Sequence, residues 1–432
     1  MSQRWRRVEQ MDKMRIVFTG PFDPTLCEGV SASIFDLSGF LKNRGYEVSI
    51  VSFMYDSPLM REILRRLTDH QTEIISSDRD HCSYVTKGIH VYFAVLPHSR
   101  DEILNFHPAV LKSYINKIGE YKEGYFLTAD DDCTCLLAHS ILRSATAHVI
   151  HSPVLSILRF RTLPIFQAIL RNRTVFTVSR FSQGELEKRL GLHALLWPPF
   201  IDSHRFRFPR TNRHGGKIGY YSAGQHKGDN MITALATEMP DLQFVIMGRR
   251  YHPEVERANV TCLGGTEDLE RFYGEISLLL VPSVIPEGFS RVILEASMNS
   301  IPVIANKAGG ISEALGASGI LIDIDPSQAE MVHKYASAIT DLLSDPDTYE
   351  EYSRKALERA QEYEKEVYEK SVFYSDMFLG KAEGSTGSAN PPRPPGCNLH
   401  LRPDSGSGEV RPVMQFLVPA SGMAYYHWQS FF

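Results

Sequence analysis

One short stretch constrains the fold of this 432-residue chain more than any other part of it. The apolar run LLLV at residues 278–281 is typical of a strand that is buried on both faces of a parallel sheet. Pro282 and Pro286 end this strand and fix a loop, and Ser290 can then act as the N-cap of a helix. Residues 301–305, IPVIA, predict the next strand. The chain therefore contains a strand–loop–helix–strand unit.

Two glutamates frame the loop and the helix of this unit. Glu295 lies in a helix that is apolar on nearly every side, so we expect its carboxylate to be buried. A buried carboxylate costs several kcal/mol unless something donates hydrogen bonds to it, and paired hydroxyls on a sugar or ribose would do so. Glu287 lies on the loop, eight residues earlier. A helix whose Glu295 caps or salt-bridges a neighbour is the alternative, and the spacing leaves both open.

Backbone amides lie between the two carboxylates. Gly288, Phe289, Ser290 and Arg291 enter the helix, and the first amides of a helix have no partner within it, which makes them a ready anion site. The stretch thus offers a carboxylate, a group of amides and a second carboxylate. This order suits a ligand with hydroxyls at both ends and phosphate in the middle, which describes a nucleotide-sugar.

The two glutamates also carry a family resemblance. Glu287 and Glu295, with Glu-Gly-Phe at the start and Glu-Ala at the end, resemble the paired-glutamate motif of retaining GT-B glycosyltransferases, above all the large family 4. The resemblance extends over residues 14–378. It implies an α/β fold, GT-B, in which two Rossmann-like domains face each other across a cleft. It also implies transfer of a sugar from a nucleotide-sugar, expected to be UDP-linked, to an acceptor hydroxyl on a glycan, glycolipid or small molecule, with retention at the anomeric carbon.

The resemblance gives roles to the residues of the central unit. It implies that Glu295 binds the ribose hydroxyls and that Glu287 binds sugar hydroxyls near the reacting carbon. The amides of residues 288–291 and the ammonium of Lys227 would hold the diphosphate, where a positive charge stabilises the departing group. For Lys227, a solvated position at a helix start is the alternative.

Three further positions match the family by their place in the chain. Gly309 and Gly310 are expected beside the diphosphate and the sugar, and a bare helix-entry turn is their alternative. Gly29 stands at the helix entry of the first domain, where the family places its diphosphate-facing loop, although a plain tight connection would look the same. His151 ends a strand and resembles the family histidine that faces the donor sugar; a structural histidine is as good an explanation.

One departure from the family pattern concerns positive charge. The family joins its lysine to an arginine five or six residues earlier, but those positions here hold Ser222 and Tyr221. Arg249 and Arg250, which follow Gly248, could supply the missing charge from a neighbouring strand end. If they do not, the chain would be a non-catalytic protein that binds nucleotide-sugars. A GT-B sugar epimerase is a further alternative.

No metal ion or other cofactor is expected, because the nucleotide-sugar is a substrate. Residues 130–132, DDD, contain the D-x-D pattern that binds a divalent metal in GT-A enzymes. They lie in the first domain of a chain that otherwise resembles GT-B enzymes. We therefore interpret these aspartates as helix-start charge or acceptor contacts. The pair Cys133 and Cys135 is interpreted as core packing.

The composition is that of an ordinary globular protein with two domains. The net charge of −5 argues against a nucleic-acid partner, and the sequence does not predict the oligomeric state. No apolar run approaches the ~20 residues of a membrane span, and the N-terminus lacks an apolar signal-peptide core, which favours a cytoplasmic location. The basic and apolar segment 158–173 could contact a membrane peripherally, but we prefer a helix with one buried face.

The pattern along the chain predicts five segments. They are a disordered N-terminus (1–13), an acceptor-side domain (14–200), a nucleotide-sugar domain (201–365), a terminal helix that returns to the first domain (366–379) and a low-complexity tail (380–432). The strands predicted for the first domain are 15–19, 48–51, 89–93, 125–128, 148–151 and 176–179, with 176–179 as the last.

Overall fold

The computed structural model describes most of the chain. The described residues are 14–22, 29–70, 73–104, 107–121, 124–129, 132–151, 163–209, 214–221, 227–248, 258–263 and 268–378. Within them the structure forms two sheets, and helices cover both. No helix in this part of the chain combines the length and the apolar character that crossing a bilayer requires.

The first sheet has nine strands among the described residues, in the order β3-β4-β5-β2-β1-β6-β7-β8-β9. In this order, every neighbouring pair from β5 through β2 and β1 to β9 is parallel. The pairs β3–β4 and β4–β5 are antiparallel. The strands are β1 (Arg15–Gly20), β2 (Glu47–Tyr55), β3 (Ile74–Ser77), β4 (His81–Thr86), β5 (Ile89–Leu96), β6 (Tyr125–Ala129), β7 (Thr146–Ile150), β8 (Thr174–Thr177) and β9 (Leu195–Leu196).

The second sheet has six strands within the described ranges, in the order β12-β11-β10-β13-β14-β15, and every neighbouring pair is parallel. These strands are β10 (Lys217–Tyr221), β11 (Phe244–Met247), β12 (Val260–Cys262), β13 (Ile276–Val281), β14 (Val303–Asn306) and β15 (Ile320–Ile322). All six residues of β13 are buried, as expected for a central strand covered on both faces. The predicted α/β fold with two Rossmann-like domains is thereby confirmed.

Helices connect the strands in both domains. The first domain contains α1 (Gly29–Asn43), α2 (Pro58–His70), α3 (Arg100–Leu104), α4 (Pro108–Gly119), α5 (Cys133–Ile141), α6 (Leu163–Leu170) and α7 (Arg180–Leu190). The second contains α8 (Asp229–Glu238), α9 (Leu269–Glu275), α10 (Arg291–Ser297), α11 (Ile311–Leu315), α12 (Gln328–Ser344) and α13 (Pro346–Phe378).

The C-terminal helix α13 contacts both domains. Its first half packs on the second domain, where the Tyr349 hydroxyl donates to the backbone of Ser277 at 2.8 Å. Its second half contacts the first domain, where Trp197 Nε1 donates to Ser371 Oγ at 3.0 Å. The predicted domain boundary at 365/366 falls inside this continuous 33-residue helix. The sequence EYEKE around the boundary contains no residue that would break a helix.

Two predictions for the first domain were wrong. Strands β3 and β4 were not predicted. All four residues of β3 are exposed and carry no alternating apolar pattern, whereas β4 has three consecutive buried residues, Cys82, Ser83 and Tyr84, and so shows no alternation either. The strand predicted at 176–179 is the end of β8, and the two-residue β9 follows it as a further strand. A strand of two residues is too short to show a pattern in the sequence.

Candidate active site

Three loops of the second domain meet at one edge of its sheet. Lys227 follows β10, Glu287 follows β13, and Gly309 follows β14; these strands are neighbours in the order β10-β13-β14. Because parallel strands end at the same edge, residues distant in the sequence come together there. Glu287 and Gly309 form a parallel bridge, in which the amide of Gly310 donates to the carbonyl of Glu287 at 2.8 Å.

Lys227 and Glu287 form an ion pair at this edge. Lys227 Nζ lies 2.7 Å from Glu287 Oε1, and their side chains are 30% and 9% exposed. The structure thus brings together two residues that the sequence assigns to the diphosphate and the sugar. In this conformation the ammonium is balanced by the carboxylate, so the pair itself is electrically neutral.

Glycines let the two loops of the second domain approach each other. A Cβ on Gly309, whose φ is +65°, would lie 2.6 Å from the Glu287 carbonyl oxygen, and one on Gly310 would lie 2.1 Å from the Gly288 carbonyl oxygen. From the sequence, these glycines are expected to let the backbone approach a bound ligand closely. In the structure the backbone of the neighbouring loop takes that space, which gives a second physical reason for glycine at both positions.

His151 brings the first domain to the same place. It directly follows β7, and its carbonyl oxygen would lie 2.0 Å from a Cβ on Gly288. Burial, assisted by the positive charge of Arg291, lowers the pKa of His151 to about 3. The imidazole is therefore neutral near pH 7.

The side chain of Arg291 connects the two domains. The sequence assigns this residue only as a backbone amide, but its guanidinium is buried and donates to Asp36 Oδ2 on α1 at 2.7 Å. It also donates to Ser33 Oγ at 2.9 Å and to the Phe200 carbonyl at 2.7 Å. Arg205 forms a second ion pair with Asp36. Sequence reasoning missed Asp36, although a charged residue on the mostly buried face of α1 was a usable signal.

Glu295 is buried as expected, and protein groups contact its carboxylate. Tyr273 Oη donates to Oε2 at 2.9 Å and Arg291 Nε donates to Oε1 at 3.3 Å. Burial raises the pKa of Glu295 above its usual range, and the contacts with Arg291 and Tyr273 partly oppose that effect. The ion pair of Glu295 with Arg291 is the salt bridge that the sequence analysis considered as an alternative. Binding of ribose by Glu295 stays a prediction.

The other predicted residues of the central unit lie around Arg291. Gly29 is the first residue of α1, and a Cβ there would lie 3.7 Å from Arg291 Cδ. The Phe289 ring stacks on Tyr363 of α13 with centroids 5.5 Å apart. Ser290 occupies the N-cap position of α10 but makes no capping hydrogen bond through its side chain, so the capping role predicted for it was wrong. Its φ and ψ are extended, as an N-cap requires, and its buried hydroxyl does not reach the amides of the first turn.

Several predicted residues lie outside the described part of the chain. They are Ser222, Arg249, Arg250, Asp130 and Asp131, so replacement of the missing family arginine stays a prediction. Asp132 is described: its Oδ1 accepts from the Cys135 amide at 2.9 Å as the N-cap of α5, in agreement with a helix-start role.

Comparisons with known proteins give the same picture. The family model described as glycosyl transferases group 1 matches residues 227–345, a segment that contains Lys227, both glutamates and the glycine pair. The chain is 23% identical over 381 residues to phosphatidyl-myo-inositol mannosyltransferase from Mycolicibacterium smegmatis, an alignment that covers 81% of this chain and 90% of the relative.

Solved structures share the whole fold. Sucrose-phosphate synthase from Thermosynechococcus elongatus superposes with a TM-score of 0.64 at 18% identity, covering 85% of this chain and 100% of that one. HepE from Anabaena in complex with UDP and glucose superposes with a TM-score of 0.63 at 18% identity and the same coverage. The chain therefore has the GT-B fold, its residues 227–345 match the glycosyl transferases group 1 model, and it is a glycosyltransferase.

Proposed function

We propose that this enzyme transfers a sugar from a UDP-linked donor to an acceptor hydroxyl, with retention at the anomeric carbon. The observation that supports this most is the Lys227–Glu287 ion pair at the carboxyl ends of β10 and β13, beside the backbone of His151. A cation for the diphosphate and a carboxylate for sugar hydroxyls are the two groups that a donor sugar needs next to its reacting carbon. The UDP and glucose bound to HepE favour UDP as the nucleotide.

The charges around the site suggest how the donor is held. Lys227 balances Glu287, and Arg291 and Arg205 balance Asp36 and Glu295, so the described groups sum to zero. A bound diphosphate would therefore draw the Lys227 ammonium away from Glu287. That movement would leave the Glu287 carboxylate free to accept hydrogen bonds from the sugar. Arg249 or Arg250 would add the positive charge that the family takes from an arginine near position 222.

The neutral imidazole of His151 fits a positioning role. A neutral ring can donate one hydrogen bond and accept another, so it can orient sugar or acceptor hydroxyls from the first-domain side without adding charge. No side chain is proposed as a nucleophile. The acceptor proton would pass to the leaving diphosphate, whose bond to the sugar breaks as the acceptor oxygen bonds to the same carbon.

The acceptor is proposed only by class. A glycan, a glycolipid or a small molecule with a free hydroxyl fits the site, and the inositol lipid in the name of the Mycolicibacterium relative favours a glycolipid. A cytoplasmic location with peripheral membrane contact stays a prediction that accompanies this choice.

A matched pair of variants tests the donor site. Lys217 and Glu275 form a second ion pair with the same 2.7 Å distance, but at the opposite ends of β10 and β13. We would measure thermal stabilisation by UDP and UDP-sugars, and donor hydrolysis, for the wild type, for Glu287→Gln and for Glu275→Gln. A ligand at ~100 times its dissociation constant adds about 2.7 kcal/mol to the free energy of unfolding, which gives a measurable shift.

The expected result is that UDP-sugars stabilise the wild type and Glu275→Gln, whereas Glu287→Gln binds UDP but loses the additional stabilisation by the sugar and the hydrolysis. NMR detection of the sugar released or transferred then reports the anomer. If UDP-sugars stabilise neither the wild type nor the control, the proposed donor is wrong; an inverted anomer in the product contradicts retention alone.

A further inference from the structure

Two histidines and a glutamate converge on the first domain, outside the donor site. His98 follows β5, Glu102 lies on α3, and His107 is the residue before α4. One ligand atom from each of the three residues lies within 4.8 Å of the others. The two imidazole rings have centroids 4.2 Å apart. Three groups with metal-binding lone pairs therefore face one small volume.

The separations among these groups are longer than hydrogen bonds and slightly longer than the distances between the ligands of a bound zinc ion. His107 Nε2 lies 3.6 Å from Glu102 Oε1, and His98 Nδ1 lies 4.0 Å from the same oxygen. Both separations are too long for a hydrogen bond. Tetrahedral Zn²⁺ with bonds of 2.0–2.1 Å places its ligand atoms about 3.4 Å apart, so small side-chain rotations would complete the geometry.

The carboxylate of Glu102 is already oriented toward the histidines. Its Oε2 accepts hydrogen bonds from the amide and the hydroxyl of Ser99, both at 2.8 Å, in a capping box at the start of α3. The other oxygen, Oε1, is left to face the two rings. An outer hydrogen bond that fixes a ligating oxygen is a common property of metal sites.

The ring of His107 contacts His98 and Glu102 but caps no helix. His107 occupies the N-cap position of α4 but its side chain makes no capping hydrogen bond. Its Nδ1 is buried and has no hydrogen-bond partner among the described residues. Buried polar atoms of this kind are rare and call for an explanation. The other ring nitrogen, Nε2, faces Glu102 Oε1 and is the atom that would bind an ion, and Nδ1 would then carry the ring proton.

We propose that His98, Glu102 and His107 bind a divalent transition metal ion, with Zn²⁺ as the expected ion. Two imidazoles and one carboxylate suit Zn²⁺, and three protein ligands leave a fourth position for water or another oxygen ligand. The ion would tie the end of β5 to the starts of α3 and α4. Because β5 is parallel to β2 and β1, this position lies at the same edge of the first sheet as the end of β1, on the acceptor side of the molecule.

The substitution Glu102→Gln tests metal binding without disturbing the start of α3. Glu102→Gln keeps an oxygen that can accept from Ser99, since glutamine also completes a capping box, but it removes the ionised ligand. His98→Gln and His107→Gln remove the other two ligands one at a time. His81→Gln is the matched control, because His81 forms a similar contact with Asp78 at 2.9 Å on the neighbouring β4.

The measurement is titration of the full, metal-free chain with Co²⁺, followed by visible absorbance, and with Zn²⁺ by competition against a chromophoric chelator. We expect one ion per chain with the d–d bands of a low-coordinate site in the wild type and in His81→Gln. Each of the three ligand variants should bind at least tenfold more weakly. No binding by the wild type, or equal binding by the ligand variants through other histidines among the 16 in the chain, would overturn the proposal.

Discussion

Arg291 and Asp36 form a buried ion pair that joins the two domains of this glycosyltransferase. The guanidinium on α10 and the carboxylate on α1 are 2.7 Å apart, and their side chains are 5% and 1% exposed. Each belongs to the first helix after a loop that the sequence assigns to the donor diphosphate. The contact therefore holds these two helices, one from each domain, against each other.

Removal of one member of this pair should destabilise the enzyme strongly. Asp36→Asn leaves the buried guanidinium of Arg291 without its main counter-charge, for which about 3–5 kcal/mol is typical. We expect a loss of that size in the free energy of unfolding from urea denaturation. The exposed pair of Glu62 and Arg65 is the control, and Glu62→Gln should change stability by less than about 1 kcal/mol. Equal effects of the two substitutions would show that burial does not matter here.

Loss of the ammonium at position 227 should slow transfer more than it weakens folding. Lys227→Met removes the charge proposed to stabilise the leaving diphosphate, which we expect to lower kcat about a hundredfold. Lys217→Met removes the matched ammonium at the other end of β10 and should leave kcat within about twofold. Steady-state kinetics with a UDP-sugar measure both. A Lys227 variant with unchanged kcat would assign this residue to structure alone.

Alanine at position 288 should disturb the contact between the domains. A Cβ there would lie 2.0 Å from the His151 carbonyl oxygen, so the loop or the first domain has to move. We expect Gly288→Ala to lower the melting temperature and weaken UDP binding, with a stability cost of about 1–3 kcal/mol. Gly184→Ala is the opposite case, because no atom lies within 4 Å of its Cβ position and α7 gains a better helix former. If Gly288→Ala is as stable as Gly184→Ala, the close approach of Gly288 to the His151 carbonyl is contradicted.

Stability should fall as the pH drops below neutral. His139 is buried, accepts or donates to Thr19 and Ser144 at 2.8 and 2.7 Å, and burial lowers its pKa to about 3. Because the folded pKa lies below the unfolded value of about 6.5, the unfolded chain binds the proton first. The free energy of unfolding should therefore decrease between about pH 6.5 and pH 3, by up to about 1.4 kcal/mol per pH unit for each such histidine.

Urea denaturation of wild type and His139→Gln at several pH values measures this effect. The variant should be less stable than the wild type at pH 7, since it loses the two hydrogen bonds. Its free energy of unfolding should depend less steeply on pH, because one proton fewer is taken up on unfolding. Parallel slopes for the two proteins would mean that His139 does not titrate as its burial implies.

The architecture was predictable because the central unit has a strong pattern. The run at residues 278–281 lies in β13, whose six residues are all buried, and the glutamate spacing identified the fold that the comparisons confirm. Exposed and very short strands were not predictable. In β3 all four residues are exposed, and β9 has only two residues, which pair with β8 alone.

The candidate site was predictable in part. Lys227, Glu287 and Gly309 could be placed together because each follows a strand of one parallel sheet. Arg291 lies four positions before Glu295 on α10, a spacing at which side chains on one helix meet. Tyr273 could not be placed beside Glu295, because it precedes it by 22 positions on another helix and no local spacing links them. The same holds for Asp36, which is 255 positions from Arg291, and for the convergence of His98, Glu102 and His107, which depends on how β5 leads into α3 and α4.

Helix α13 has a mechanical consequence for the opening of the cleft. The chain passes between the domains twice, once around residues 196–200 and once in α13. Hydrogen bonds join these two connections to each other. Tyr363 donates to the Pro199 carbonyl at 2.5 Å, and Tyr374 donates to the Leu196 carbonyl at 3.1 Å. A helix of this length is a rigid rod of about 50 Å, so it resists bending. The two connections therefore lie against each other, so any opening between the domains has to bend both of them at the same place.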